Sequence, residues 1–292
     1  MASTRDTPAA PETGRLSFAD LPGWAEDDLA AATAAYALTC DRPLPSGDMR
    51  RALEGAFRPG PAIPAHVTGY YEPELSASLA PSDEYGVPLH ALPPGGCTLP
   101  RGDVDAALVG QEIAWLRDEV DRFFLQVQGS GRLALGDGSV LRVGYAGRNG
   151  HPYRSIGRLL IAEGIFGPDI TADALKEWLR RDAARGRAVM NRNPSYVFFR
   201  LLDVPADRGP TGAMGQPVTA GRSLAVDPDH IALGSLVWLE AAGMARLCVA
   251  QDVGSAIKGA GRVDLFLGTG DDAGRAAGRL NDTGRLIPLV PR

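Results

Sequence analysis

The chain has 292 residues, enough for one large domain or two smaller ones, and either could bury a sizeable core. Apolar residues make up 45% and charged residues 22%, with a formal net charge of -5, so the composition is globular and lacks the basic footprint that nucleic acid requires. The 3 cysteines and 4 histidines are scattered, with no CxxC pair and no i,i+4 histidines, which argues against a metal centre and leaves one disulfide open without singling out a pair.

Taken in chain order, residues 1 to 14 are rich in Pro, Thr and Ala and read as a disordered tail. This N-terminus lacks the apolar core of a signal peptide, and no run approaches the roughly 18 apolar residues of a membrane span. The expectation is a cytoplasmic protein or an exported one whose signal is absent from this chain. Residues 27–39 and 48–56 read as packing helices, the second capped by Asp48. The text from His66 to Glu74 alternates as a strand ending at Pro73, so Tyr70 and Tyr71 point to opposite faces, one to a core and the other free to stack on a ligand.

Residues 81–100, dense in Pro and Gly, read as a linker. A helix is predicted over 106–122, with Leu108, Ile113, Leu116 and Val120 near one face, followed by a strand on which Gln126 and Gln128 share a face. Those amides and the Gly129-Ser130-Gly131 turn suit a hydroxyl-rich or amide-bearing ligand, although a solvated polar face is the commoner explanation. A hairpin follows at 135–143, then a loop over 144–158 whose Gly, Tyr and Asn content suits display. Helices are expected at 156–163 and 172–184 and a strand at 196–202. Beyond Pro205 the short strands 218–226, 236–239 and 247–250 have the texture of a small barrel, closed by a helix over 271–280 and a strand over 285–290.

The chemistry is expected between Ala250 and Gly270, where Asp252 and Asp264 stand among glycines and apolar residues. An Asp within Val263, Leu265, Phe266 and Leu267 would be desolvated, and desolvation raises a carboxyl pKa toward the protonated form that a general acid needs. Read singly, each is more commonly a turn or capping aspartate. Two look-alikes fail: Gly268-Thr-Gly-Asp-Asp-Ala-Gly has the wrong spacing and context for a dinucleotide loop, and Asp252 and Asp282 do not lie on two similar halves as aspartic-protease loops do.

Five stretches, in order, resemble the MltA family of lytic murein transglycosylases and cover most of the chain from about residue 15. They are Val67-Thr-Gly-Tyr-Tyr-Glu-Pro, Phe124-Leu-Gln-Val-Gln-Gly-Ser-Gly, Tyr145-Ala-Gly-Arg-Asn-Gly-His-Pro-Tyr-Arg-Ser-Ile-Gly, Asn193-Pro-Ser-Tyr-Val-Phe-Phe, and Gln251-Asp-Val-Gly-Ser-Ala-Ile-Lys-Gly through Asp264. Ser255 stands where the family text often has a second glycine. The resemblance implies a mainly β protein: a double-psi β-barrel domain from residues 15–75 and 200–292, a β-rich inserted glycan-binding domain from 76–199, peripheral helices, and a substrate groove between the domains.

It further implies a peptidoglycan lytic exotransglycosylase, a carbon–oxygen lyase that cleaves the β-1,4 bond between N-acetylmuramic acid and N-acetylglucosamine and leaves 1,6-anhydromuramic ends. Asp264 would be the catalytic acid, Asp252 its supporting carboxylate, able to raise the pKa of Asp264 by like-charge repulsion, and Asp227 a structural residue. Thr68, Tyr70, Tyr71, Gln128, Ser130, Tyr145 and Asn149 would bind substrate, with no metal and no cofactor. Peptidoglycan strands are the expected partner, with other cell-wall enzymes as further associates of a monomer, and the periplasm, with outer-membrane attachment in a full-length precursor, is the expected location. A hydrolytic muramidase and a non-catalytic glycan-binding barrel are the alternatives.

Overall fold

A computed structural model describes residues 16–40, 47–205 and 208–292; the tail reading of residues 1 to 14 lies outside the described residues. Helices α1 (Leu29–Ala37) and α2 (Met49–Ala56) begin at Asp28 and Asp48, whose carboxylates accept first-turn backbone N–H groups that would otherwise lack partners. Strands β1 (Phe57–Pro59), β2 (Ile63–Glu72), β3 (Glu74–Ser78) and β4 (Val87–His90) follow. Next come α3 (Arg101–Ala107), β5 (Glu112–Leu116), α4 (Glu119–Gln128), β6 (Ser130–Leu135) and β7 (Val140–Arg148). Helices α5 (Ile156–Ala162), α6 (Ala172–Arg180) and α7 (Ala183–Met190) precede β8 (Val197–Leu202). The chain closes with β9 (Ser223–Val226), β10 (Leu236–Ala241), β11 (Met244–Val253), β12 (Arg262–Thr269), α8 (Gly270–Arg279) and β13 (Asn281–Pro291).

The protein is mainly β. Six strands close a barrel in the order β13, β10, β11, β9, β12, β2, with β2 returning to pair with β13 and β1 lying along β13. Alternation sends Val67, Leu224, Val226, Val237, Leu239, Cys248, Ala250, Val263, Leu265 and Leu286 into the barrel. On β10, β11 and β13 the outer face is apolar as well, because Trp238, Leu236, Leu247, Val249, Ile287 and Leu289 pack under Trp24, Leu29, Ala32, Ala35 and Leu53 of the N-terminal segment. The N-terminal helices thus cover one side of the barrel. The outward residues of β2, β9 and β12, on the other side, include polar ones such as Thr68, Tyr70, Ser223 and Asp264. Helix α8 lies against β2, where Gly69 is needed: a Cβ there would stand 2.9 Å from Ala277 Cα.

A second sheet runs β4, β5, β3, β6, β7, β8. Leu89, Ala114, Leu116, Leu133, Val143 and Phe199 form its core with Leu125 of α4, while α4, α5, α6 and α7 pack together through Phe123, Leu160, Leu175, Leu179 and Met190. The two sheets meet at Glu72, the last residue of β2, which is wholly buried. Its carboxylate binds Arg132 of β6 at 2.9 Å, Arg142 of β7 at 2.7 Å and the Thr269 hydroxyl of β12 at 2.9 Å. Arg142 also donates to the carbonyls of Pro205 and Arg208, on the segment where the chain returns to the barrel.

Several local expectations are corrected. The helix over 106–122 is instead the end of α3, strand β5 and the start of α4: Gly110 turns the chain in the left-handed region, and Asp118 caps a new helix by accepting Asp121 N–H. The strand predicted to carry Gln126 and Gln128 is α4, ended by left-handed Gly129, so the two amides lie about 200° apart around a helix. The single helix over 172–184 breaks where Asp182 caps α7. The 81–100 linker contains β4, because Leu89 and His90 are buried against β5 and β8 neighbours. Of residues 218–226 only Ser223–Val226 form a strand.

Replacing Glu72 by Gln should expose the weight of the ion cluster, since Arg142 is only 4% exposed and would keep its charge without a counter-ion. The expected loss is about 3–5 kcal/mol of unfolding free energy, the range for breaking a buried pair, read by urea titration. A loss below about 1 kcal/mol, the ordinary value for an exposed pair, would show that the cluster contributes no more than surface charge does.

Candidate active site

The site is a single rung across the barrel. Asp264 of β12 stands opposite Thr68 of β2 on one side and Ala225 of β9 on the other, while Asp252 of β11 stands opposite the far side of Ala225. With strands about 4.8 Å apart, the two aspartate backbones lie roughly 10 Å from each other. Asp264 points outward because its neighbours Val263 and Leu265 fill the barrel. Asp252 needs a different device. Cys248 and Ala250 point inward, so strict alternation would send Asp252 inward too, but the register of β11 slips between Ala250 and Asp252. The extra residue, Gln251, turns toward the N-terminal helices and donates to Ala35 O and the Thr39 hydroxyl, and the bulge re-aims Asp252 to the outer face.

The two carboxyls are held differently. Asp264 Oδ1 accepts a hydrogen bond from the Thr68 hydroxyl at 2.6 Å. Asp252 is held by three donors: Tyr70 Oη at 2.9 Å, the backbone N–H of Ala213 at 3.0 Å and its neighbour Val253 N–H at 2.9 Å. The Tyr70 ring packs on Phe266, its partner across the β2–β12 pairing. Burial raises the pKa of both aspartates above the usual 3.8. Burial is the first cause for Asp264, partly offset by Thr68 and the Arg262 cation, and the charge of Asp252 adds only a lesser upward push; the like-charge repulsion expected from the sequence is therefore secondary. For Asp252 the three hydrogen bonds oppose burial. Both residues are only partly buried, which leaves them within reach of a ligand.

The remaining predicted residues divide. Gln128, at the end of α4, accepts Tyr71 N–H at 3.2 Å, so α4 touches β2 near the rung, and half-buried Ser130 opens β6 two residues on. The Tyr71 ring lies against Gly274 of α8, and its hydroxyl accepts from Lys176 of α6 at 3.4 Å. Tyr145 stands half exposed on β7. Asn149 is not at a groove surface: it is buried, donating to Leu99 O and Pro194 O and accepting from Tyr196 N–H, and it ties the loop after β7 to β8. The display loop of 144–158 is thus partly strand and partly buried brace. Asp227 sits at a turn, accepting Gly259 N–H at 2.8 Å and facing Lys258, and the Gly259 bond heads the causes that hold its pKa low. Among the described residues no group of three or more His, Cys, Asp or Glu is arranged to hold a metal ion.

Sequence reasoning missed Glu72, Arg262 and His66. All three lie an even number of residues from Thr68 or Asp264 on the same strands, so extending the alternation outward from each site residue would have found them.

A closed barrel with two carboxyls on its outer face, beside a second sheet backed by helices, defines a mainly β protein with a candidate acid site near where the barrel meets the second sheet. Residues 66–107 and 96–200 match the MltA specific insert domain, and residues 222–290 match the 3D domain. A membrane-bound lytic murein transglycosylase from Agrobacterium tumefaciens has a crystal structure that matches with a TM-score of 0.85 at 31% identity, over 95% of this chain and 97% of that one. The Escherichia coli MltA structure with bound chitohexaose matches with a TM-score of 0.76 at 32% identity, over 84% and 79%. Membrane-bound lytic murein transglycosylase A of Escherichia coli strain K12 is 35% identical over 240 residues, 76% of this chain, which spans 64% of that relative's length. The chain belongs to the MltA family.

A raised pKa has a consequence for stability. The native state favours protonated Asp264, so its contribution is full below the usual value of 3.8 and is lost as pH rises through the higher native pKa. Asp264→Asn should therefore melt close to wild type at pH 3.5 and above wild type at pH 8. Melting curves at both pH values check this, and a variant less stable than wild type at pH 8 would contradict it.

Proposed function

We propose that this chain is a lytic transglycosylase of peptidoglycan, cleaving the β-1,4 bond between N-acetylmuramic acid and N-acetylglucosamine and leaving 1,6-anhydromuramic ends. The observation that carries the reading is Asp264, a carboxyl kept toward its protonated form by burial and bound on one oxygen by Thr68. The chitohexaose held by the Escherichia coli relative supports a glycan as ligand. Asp264 protonates the glycosidic oxygen, then as carboxylate removes the proton from the muramic C6 hydroxyl as that oxygen attacks C1. The attack is intramolecular, so proximity replaces an enzyme-bound water.

Glycosidases of the two-carboxylate kind need a second group as nucleophile or water-activating base. Asp252 is poorly suited to that role because Tyr70, Ala213 and Val253 already occupy its oxygens; it acts as a fixed negative charge near the developing positive charge of the sugar. Thr68, Tyr70 and Tyr71 on β2, with Gln128 from α4 and Ser130 and Tyr145 from the second sheet, belong to the proposed groove. The division into 15–75 with 200–292 and 76–199 as separate domains is part of the same proposal, as is a periplasmic location with the cell wall as partner. Among the described residues no helix is long and apolar enough to cross a membrane.

Purified sacculi digested with the protein should release muropeptides lighter by one water than muramidase products, and mass spectrometry reads the difference. Asp264→Asn keeps the shape of the side chain but cannot cycle a proton, so turnover should fall by at least about 100-fold while glycan binding survives. Products carrying the extra water would favour the muramidase. Sacculus binding without any product from the wild type would favour the non-catalytic barrel.

A further inference from the structure

We infer that Arg262 is a positioning residue that acts through Thr68 to decide which oxygen of Asp264 carries the catalytic proton, an inference that rests on the transglycosylase reading. Arg262 and Asp264 are two residues apart on β12 and share its outer face. The guanidinium Nη1 donates one hydrogen to the Thr68 hydroxyl oxygen at 2.8 Å and the other to Val263 O at 2.9 Å, with His66 O a longer contact at 3.4 Å. The Thr68 hydroxyl in turn donates to Asp264 Oδ1 at 2.6 Å.

Proton counting gives the chain a direction. A guanidinium has donors and no acceptor, whereas a hydroxyl has one hydrogen. With Arg262 filling one of the two lone pairs of Thr68 Oγ1 and Asp264 Oδ1 standing 2.6 Å away as acceptor, the hydroxyl hydrogen is directed at Asp264, and Oδ1 is committed as an acceptor. The proton of the neutral acid then resides on Oδ2. Once that proton has passed to the leaving oxygen, the same chain stabilises the carboxylate through a charge-assisted bond, and Oδ2 is left to take the C6 hydroxyl proton. Without Arg262 the Thr68 hydroxyl can rotate and accept from a proton on Oδ1, which points the acid away from the substrate.

The Arg262 cation also lowers the pKa of Asp264 against the upward effect of burial. The other groups bearing on this pair are His66 and Tyr70 of β2, Asp252 of β11 and Arg158 of α5. Arg158 and Arg262 are like charges from the two lobes, so Arg262 keeps its place through Thr68 and the two carbonyls and not by attraction to that neighbour.

The test measures kcat, KM and the pH profile on purified sacculi for wild type, Arg262→Met, Arg262→Lys, Thr68→Val and the Arg262→Met/Thr68→Val double variant, with melting curves for each. Arg262→Met should lower kcat by about ten- to a hundredfold, the weight of one hydrogen bond to a charged group, with KM within about twofold. The high-pH limb should move upward, because loss of the cation lets burial raise Asp264 further. Arg262→Lys, which keeps a charged donor, should recover part of kcat, and the double variant should be no slower than Thr68→Val alone. Should Arg262→Met fail to fold, Arg262→Gln takes its place and is read in the same way. Additive losses in the double variant, a rise in KM at constant kcat, or an unmoved high-pH limb overturns the inference while wild-type anhydro product leaves the transglycosylase reading intact. Absence of anhydro product from wild type removes that reading itself.

Discussion

Glu72 has no contact with water, and both of its oxygens are committed to groups from other strands: arginines of β6 and β7, and a hydroxyl of β12. A carboxylate in such a place is tolerable only when it is paired and hydrogen-bonded, and here the pairing joins the barrel to the second sheet at the point where the chain first leaves one for the other. Because Arg142 also grips the carbonyls of Pro205 and Arg208, the outgoing and returning crossings are held by one ionic cluster. Two residues back along the same strand face is Tyr70, and two further is Thr68. The outer face of β2 therefore carries, in steps of two, the bond to the catalytic candidate Asp264, the bond to Asp252 and the tie between the lobes. A slip of one residue in the β2–β12 register would turn all three inward at once.

The two aspartates illustrate how one environment can be split into two roles. Both are raised by burial, but Asp252 receives three hydrogen bonds and Asp264 a single one from Thr68. More donors favour the charged form, and the proposed mechanism uses that difference by giving Asp252 the role of anion and Asp264 that of acid. The arrangement costs stability at neutral pH, as carboxyls near apolar residues generally do, and the N-terminal helices offset such a cost by burying the opposite side of the barrel.

Much of the barrel was legible because its signals are local. Val263, Leu265 and the alternating text of β2 mark strands, and Asp28, Asp48 and Thr171 cap helices by short-range bonds. Where local signals compete, the reading failed. The apolar spacing of Ile113, Leu116 and Val120 fits a helix, yet Ala114 and Leu116 are claimed by the sheet and Val120 by the helical layer. Gln126 and Gln128 look like one polar face until α4 separates them, giving one amide to Arg101 and the other to Tyr71. Asn149 sits in loop-like text and accepts locally from His151 N–H, but the partners that fix it in the core, Leu99, Pro194 and Tyr196, are about 45 to 50 positions away, which no local pattern encodes.

The sequence by itself determined the residue types and the family: two aspartates in a glycine-rich segment, the β2 text, and the strand periods that make a barrel. Only the tertiary structure decided that Asp264 and Asp252 share a face, because the bulge at Gln251 reverses the alternation and the parallel pairing of β2 with β12 brings Thr68 to Asp264 across 196 positions of chain. Pairing of strands so distant in sequence depends on the closure of the whole barrel, and the burial that raises the pKa of both acids exists only once that closure is complete.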